Sequence, residues 1–273
     1  MTTSAQGPAR AALGHPRLHL RRTDSTNDRA RELAVAGAPH GTLVTAAEQT
    51  AGRGRQGRRW SAPAGSALLM SLLVRSPPPL LPLIGAVGVC DVAGEDAEIK
   101  WPNDIVVAWP PPAGAAHGQP ARQPRRAGGL AKLAGILVEA RPQEGWAVLG
   151  IGLNVAVELD RLPQELRPRT GAEPGAGSPL PAATLGRPPA EIEPTLSLLL
   201  NALERRLAEP AEATLQACRA RDALHGREIA WTSGSGRAEG IDGTGRLVVA
   251  LADGGQTALG AGEVHLRGVG DRT

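Results

Sequence analysis

The apolar positions of this chain fall into two rhythms. Short continuous runs at 42–47, 67–74, 105–107, 133–138 and 147–151 have strand length and carry no polar alternation, the pattern of buried strands in one sheet. Helical spacing appears elsewhere. Leu196, Leu199, Leu200, Leu203 and Leu207 line one face with charges opposite, and a second helix is predicted over 211–224. Near the start, Ser25 or Thr26 can cap a helix whose stripe is Ala30, Leu33 and Ala34 and whose end is Gly37. From Gly226 the pattern changes again, to short strands at 228–232, 237–241, 246–251, 256–259 and 263–267. Asp242-Gly243 and Asp253-Gly254 read as hairpin turns between them. The expectation is an α/β unit with a small β-barrel appended.

Three segments stand outside that pattern. Residues 1–16 read as a loose tail, 109–129 as a Pro/Gly/Ala/Arg-rich disordered insertion, and 163–189 as a second Pro/Gly-rich connection. The domains expected are therefore 17–224 and 225–270. At 273 residues the chain can build one sizeable core and a small second domain. Cys90 and Cys218 are far apart and suggest neither a disulfide framework nor a metal site, which suits a reducing cytoplasm. The histidines His40, His117, His225 and His265 form no Cys/His cluster and read as structural or solvated. No secretory signal is apparent, and prolines interrupt the apolar stretch 72–89, so no membrane partner is expected. The net charge of +3 permits an acidic partner without demonstrating nucleic-acid binding. Five tryptophans and no Phe or Tyr leave little for a single-strand stacking platform.

Charge composition changes the picture most. Of 30 basic residues only two are lysines, Lys100 and Lys132. Each opens a dense motif: Lys100-Trp101-Pro102-Asn103-Asp104, and the eight residues from Lys132 to Glu139. In a chain that writes Arg wherever a generic positive charge suffices, a retained Lys suggests a need for a compact point charge. Chance survival on a solvated surface is the alternative. Between two predicted strands lies Gly52-Arg53-Gly54-Arg55-Gln56-Gly57-Arg58-Arg59-Trp60. Its glycines permit close backbone approach, and its guanidiniums suit phosphate oxygens. The spacing is neither the P-loop nor the dinucleotide fingerprint. An RNA-binding Arg/Gly tract is the competing reading, weakened because the loop is single, short and set between core strands.

Taken in order, Ser25-Thr26-Asn27, Glu48-Gln49, the Gly52–Gly57 loop, Trp60, the Lys100 motif, Lys132-Leu133-Ala134-Gly135 and Gly150-Ile151-Gly152-Leu153-Asn154 resemble the biotin protein ligase family. The resemblance is close over 18–157 and loose over the barrel. It implies an α+β fold, a mixed sheet with helices like class II synthetase catalytic domains, plus an SH3-like C-terminal barrel. It implies biotin and ATP as substrates, Mg²⁺, a biotinyl-adenylate intermediate, and transfer to a lysine of a biotin carboxyl carrier protein domain. By the same resemblance the biotin site takes Ser25, Thr26, Asn27, Gln49, Arg53, Gly54, Arg55, Lys132 and Gly135. The ATP site takes Arg53, Arg55, Arg58, Trp60, Lys100, Asn103, Lys132 and Asn154. Lys132, Arg55 and Asp104 are the catalytic candidates, Asp104 also for Mg²⁺ contact or for orienting the attacking amine. A ureido ring needs donors and acceptors, which Ser25, Thr26 and Gln49 provide.

Plainer roles compete at several positions. Ser25 and Thr26 can be helix caps, Trp60 and Trp101 packing residues, Asn103-Asp104 a turn after Pro102, and Asn154 a strand-end cap. Gln56 stands where the family commonly has Arg, 80–98 is short for the helix the family places there, and 109–129 lengthens the path to Lys132. Fewer than 20 residues precede the catalytic region. That is too few for the helix-turn-helix domain some members carry, so DNA binding is not expected. Monomer and homodimer stay equally open, as does the identity of the carrier. A lipoate or other acyl ligase of the same superfamily is the second reading.

Overall fold

The computed structural model describes residues 12–109, 129–168, 180–260, 262 and 264–266. Seven strands, β1 (Arg17–Leu20), β2 (Leu43–Ala46), β3 (Ala67–Arg75), β4 (Glu98–Lys100), β5 (Asp104–Trp109), β6 (Gly129–Arg141) and β7 (Trp146–Asn154), form one sheet. Their spatial order is β1-β2-β3-β7-β6-β5-β4. Only β1 and β2 run parallel, linked by helix α1 (Thr26–Val35); the remaining neighbours are antiparallel. Every residue of β3 except Arg75 is buried, which is why its run shows no alternation in sequence.

Side chains sort by parity. Leu68, Met70, Leu72 and Val74 of β3, with Ala147, Leu149, Ile151 and Leu153 of β7, pack on the face covered by α2 (Leu81–Ala93) and α3 (Ile192–Ala208). Leu73 and Val148 turn the other way, onto Ala30 and Ala34 of α1. Helix α4 (Ala211–Ala220) packs on α2 and leads to the second sheet. That sheet comprises β8 (Glu228–Trp231), β9 (Gly234–Ile241), β10 (Leu247–Ala250), β11 (Gln256–Leu259) and β12 (His265–Leu266), in order β11-β10-β9-β8-β12 and antiparallel throughout. Its inward residues Ile229, Ala238, Leu247 and Val249, with Val264 just before β12, join the same apolar cluster as the main sheet. Trp101, 2% exposed, donates Nε1–H to the Gly245 carbonyl at 3.0 Å and stitches the two sheets together.

Several expectations need adjustment. The segment 80–98 does hold a helix, of 13 residues, ending at Gly94. Helix α4 stops four residues short of the predicted Leu224, where the chain turns to pair beside β4. Ser25 occupies the N-cap position of α1 but makes no side-chain capping bond. Strands β1 and β4 were not anticipated; one is mostly exposed and the other only three residues long, so neither shows as an apolar run. Residues 1–11 and 110–128, His117 among them, lie outside the described residues, as does Arg267. The described end of the expected tail is not loose, since Leu13 is buried in the core and the Gly14 amide donates to the Gly41 carbonyl at 2.9 Å. Trp109 and Gly129, expected in the insertion, pair with each other in β5 and β6.

Candidate active site

A cavity of about 260 Å³ opens on the α1 face of the sheet. Its floor is made where β7 exchanges Trp146 and Val148 for Gly150 and Gly152. Both glycines are required by proximity. A Cβ on Gly150 would lie 2.2 Å from Asn27 Oδ1, and one on Gly152 would lie 2.5 Å from the Trp60 ring. Side-chain-free backbone here makes room for α1, for Trp60 and for a ligand between them.

One end of the cavity is a neutral hydrogen-bond network. Gln49 Oε1 accepts from the Thr26 amide at 2.7 Å and the Thr26 hydroxyl at 3.0 Å. The Ser71 hydroxyl, projecting from β3, lies 2.8 Å from Thr26 Oγ1 and 2.6 Å from Asn27 Oδ1. Asn27 Nδ2–H in turn donates to Glu139 Oε2 at 2.8 Å. Thr26, Asn27 and Ser71 are buried, so each polar atom needs these partners.

The other end is cationic. Register slips between Ile105 and Val106 of β5, so Leu133 of β6 is passed over and Val106 pairs with Lys132. This bulge turns Lys132 to the cavity side with Gly135 while Leu133 stays in the core. Lys132 Nζ sits 2.7 Å from Asp104 and 5.6 Å above the Trp60 ring. Asp104 also accepts from Asn103 Nδ2–H at 3.0 Å, and Asn103 Oδ1 accepts from Arg55 at 2.9 Å. Lys100 is buried and donates to the Val264 carbonyl, just before β12, at 2.6 Å. Burial, reinforced by Lys132, Arg58 and Arg55, pushes the Lys100 ammonium down to about 8 against the pull of Asp104. Burial likewise lowers the Arg55 guanidinium and the His265 imidazole, the latter helped by Lys100 and Arg58. Four cations around one carboxylate form a site that favours an anion with several oxygens.

Residues 19–155 match the model of the Biotin/lipoate A/B protein ligase family, and 218–267 match that of the Biotin protein ligase C terminal domain. The chain is 34% identical to the Biotin--[acetyl-CoA-carboxylase] ligase of Mycobacterium tuberculosis, over 90% of this chain and 87% of that protein. It is 32% identical to the ligase of the same name from Paracoccus denitrificans, over 91% of this chain and all of that one. The chain belongs to the biotin protein ligase family. Its fold is shared with the biotin protein ligase of Aquifex aeolicus crystallised with biotin and ATP, at a TM-score of 0.67 and 22% identity over 93% of this chain and 99% of that one. The Bifunctional ligase/repressor BirA of Bacillus subtilis is 37% identical over 52% of this chain, and the match spans only 41% of that protein's length.

Of the residues assigned by resemblance to biotin protein ligases, the structure gathers most around this one cavity. Thr26, Asn27, Gln49, Gly54, Arg55, Arg58, Trp60, Lys100, Asn103, Asp104, Lys132, Gly135 and Asn154 all line it. Ser25 and Arg53 do not. Ser25 is buried behind the lining, its amide held by Asp24 Oδ1 at 2.7 Å, and Arg53 turns outward to Asp28 and Glu139. Asn154 donates Nδ2–H to the Ala183 carbonyl at 2.8 Å, so it pins the segment bridged to Lys132 as well as facing the cavity. Sequence reasoning missed Ser71, Asp28, Glu139 and the Val264 carbonyl. Glu139 closes the Lys132 motif, and its parity with Gly135 along β6 was the available signal. A serine at the centre of the otherwise apolar β3 was another. Nothing in the sequence marks a main-chain oxygen 164 positions from Lys100.

Proposed function

We propose that this chain is an ATP-dependent biotin ligase, which forms biotinyl-5'-AMP and passes the biotinyl group to a lysine of a biotin carboxyl carrier protein domain. The observation that carries this reading is the division of one cavity into a neutral end and a cationic end. Thr26, Asn27 and Gln49 offer the ureido ring donors and acceptors, and Leu137, on the same face of β6 as Gly135, with the bare Gly150 and Gly152 floor suits the rest of biotin. The biotin carboxylate then attacks the α-phosphorus of ATP, the bond to the β-phosphate breaks, and pyrophosphate leaves. Lys132, Arg55, Arg58 and Lys100 hold the negative charge that builds on those oxygens. Lys132 exchanges Asp104 for phosphate as it does so, which frees Asp104. In the second step the carrier amine attacks the acyl carbon, the bond from that carbon to the phosphate oxygen breaks, AMP leaves, and the amine's proton passes to water; Asp104 orients that amine.

Mg²⁺ fits this site as an ion that enters with the nucleotide. Among the described residues no group of three or more His, Cys, Asp or Glu could hold a metal. A magnesium held by one carboxylate and substrate phosphates needs no such cage, and Asp104 with Asn103 would face it. It would neutralise phosphate charge. Trp60 lies where a base could rest against it, and the Arg/Gly loop is part of a ligase fold, which sets aside its reading as an RNA tract. Titration calorimetry with biotin, lipoate and a single-stranded oligonucleotide tests the reading. Binding of biotin is expected; tighter binding of lipoate or of the oligonucleotide would overturn it.

A further inference from the structure

Arg53 sits in the loop beside the cationic end, yet its guanidinium points away from the cavity. It forms ion pairs with Asp28 of α1 at 2.8 Å and with Glu139 of β6 at 3.4 Å. Arg31, one turn along α1 from Asp28, pairs with the same two carboxylates. The result is an alternating set of two arginines and two acids. Glu139 also accepts from Asn27, which joins this set to Ser71, Thr26 and Gln49. The loop is pinned at its Trp60 end, where the ring packs on Gly152 beneath Lys132 and Arg59 donates to the Thr50 carbonyl at 2.6 Å, and the Arg53 pairs hold its opposite end. Within it, Gly54 and Trp60 donate back to Arg58 and Gly52, and Arg55 reaches Asn103. Gln56 at its tip has φ 53° and ψ 39°, a left-handed conformation that L side chains adopt at a cost.

We propose that Asp28 and Glu139 are positioning residues that latch Arg53 and so keep the Gly52–Trp60 loop folded over the reacting groups. Arg53 is then a strut of the lid, and Arg55 and Arg58 are the guanidiniums that face the phosphate. This rests on the adenylate chemistry proposed above for what the lid retains, but the latch itself is a property of the chain alone. Because Glu139 also holds Asn27, the latch ties lid position to the pocket that receives the ureido ring.

Two measurements on the full chain test this. Hydrogen exchange of the loop amides, without ligand, should quicken about fivefold in Asp28→Asn, the loss expected for one partly exposed pair in a network. Unchanged exchange would overturn the latch. For preformed biotinyl-adenylate, Asp28→Asn should raise the escape rate by a similar factor while biotin affinity stays within about twofold. The charge swap Asp28→Arg with Arg53→Asp should restore retention in part. A double variant worse than either single one would show that Arg53 acts on the phosphate itself, and would overturn the proposal. Failure of the wild-type chain to make adenylate, with loop exchange still faster in Asp28→Asn, would sink the ligase reading and leave the latch standing.

Discussion

The two ends of the cavity are built on opposite principles. At the Thr26–Gln49 end every polar atom named above has a neutral or locally balanced partner, on a strand or a helix, before any ligand arrives. At the Lys132 end four cations crowd one carboxylate, and one of them is held by a carbonyl next to the second sheet. A satisfied network recognises a neutral ring without rearranging. A crowded cationic end is poorly satisfied by protein alone and gains most when an anion replaces Asp104. Under the proposed function, binding and chemistry would be separated along one pocket, and substitutions at the two ends should fail differently.

The largest effect is expected at Lys132. Lys132→Arg keeps the charge but puts a planar fork where a point donor must leave Asp104 for phosphate. Adenylate formation should fall about 10²–10³-fold, as when an oxyanion donor is lost. A near-normal rate of pyrophosphate release would break the comparison. At the opposite end, Gly150→Ala forces a Cβ against Asn27 and must push α1 from β7. An overpacking cost of roughly 1–3 kcal/mol, borne by the pocket wall that α1 forms, corresponds to a loss of biotin affinity of about 5- to 150-fold. Tryptophan fluorescence, reporting from Trp60, would follow it, and unaltered affinity would show that the floor has slack.

How far the sequence foretold these ends differs in an instructive way. The cationic end was legible because Lys100, Lys132 and the loop arginines lie in dense local motifs. Their orientation was not: the bulge that turns Lys132 to the cavity side depends on pairing with β5, some 27 residues away. The neutral end was half legible. Thr26, Asn27 and Gln49 stood out, but Ser71 is hidden within a run of apolar residues whose role is otherwise the core. Ser25 and Arg53, placed at the ligand by resemblance, face other parts of the protein. The barrel strands were read from turn residues, whereas their sharing of one core with α2 is a tertiary fact.

A pH series sharpens the comparison next. Lys100 titrates near 8 in the folded chain against an ordinary 10.5. Between those values the folded residue is neutral while the unfolded one still holds its proton, so stability rises with pH across that window. Below pH 8 the folded chain carries the cost of the buried ammonium. Nucleotide binding should move the other way, with the KM for ATP rising above pH 8 while biotin affinity stays flat. Lys100→Met should abolish that inflection, and its persistence would assign the titration elsewhere.

A smaller effect than at Lys132 is expected from Arg55→Gly. Loss of the contact to Asn103 should loosen retention of the adenylate by about ten- to a hundredfold, on the scale of one charge-assisted hydrogen bond. Released adenylate would place biotin on an unrelated bystander protein, and an unchanged bystander signal would show that the loop holds without it.

One cavity is expected to bind biotin at its neutral end and to activate it at its cationic end. Biotin-dependent exchange of labelled pyrophosphate into ATP tests this most directly, because it reports the first step without any carrier. The account predicts exchange that requires biotin, is not supported by lipoate, and is lost in Lys132→Arg. Exchange driven equally well by lipoate, or retained by Lys132→Arg, would contradict it.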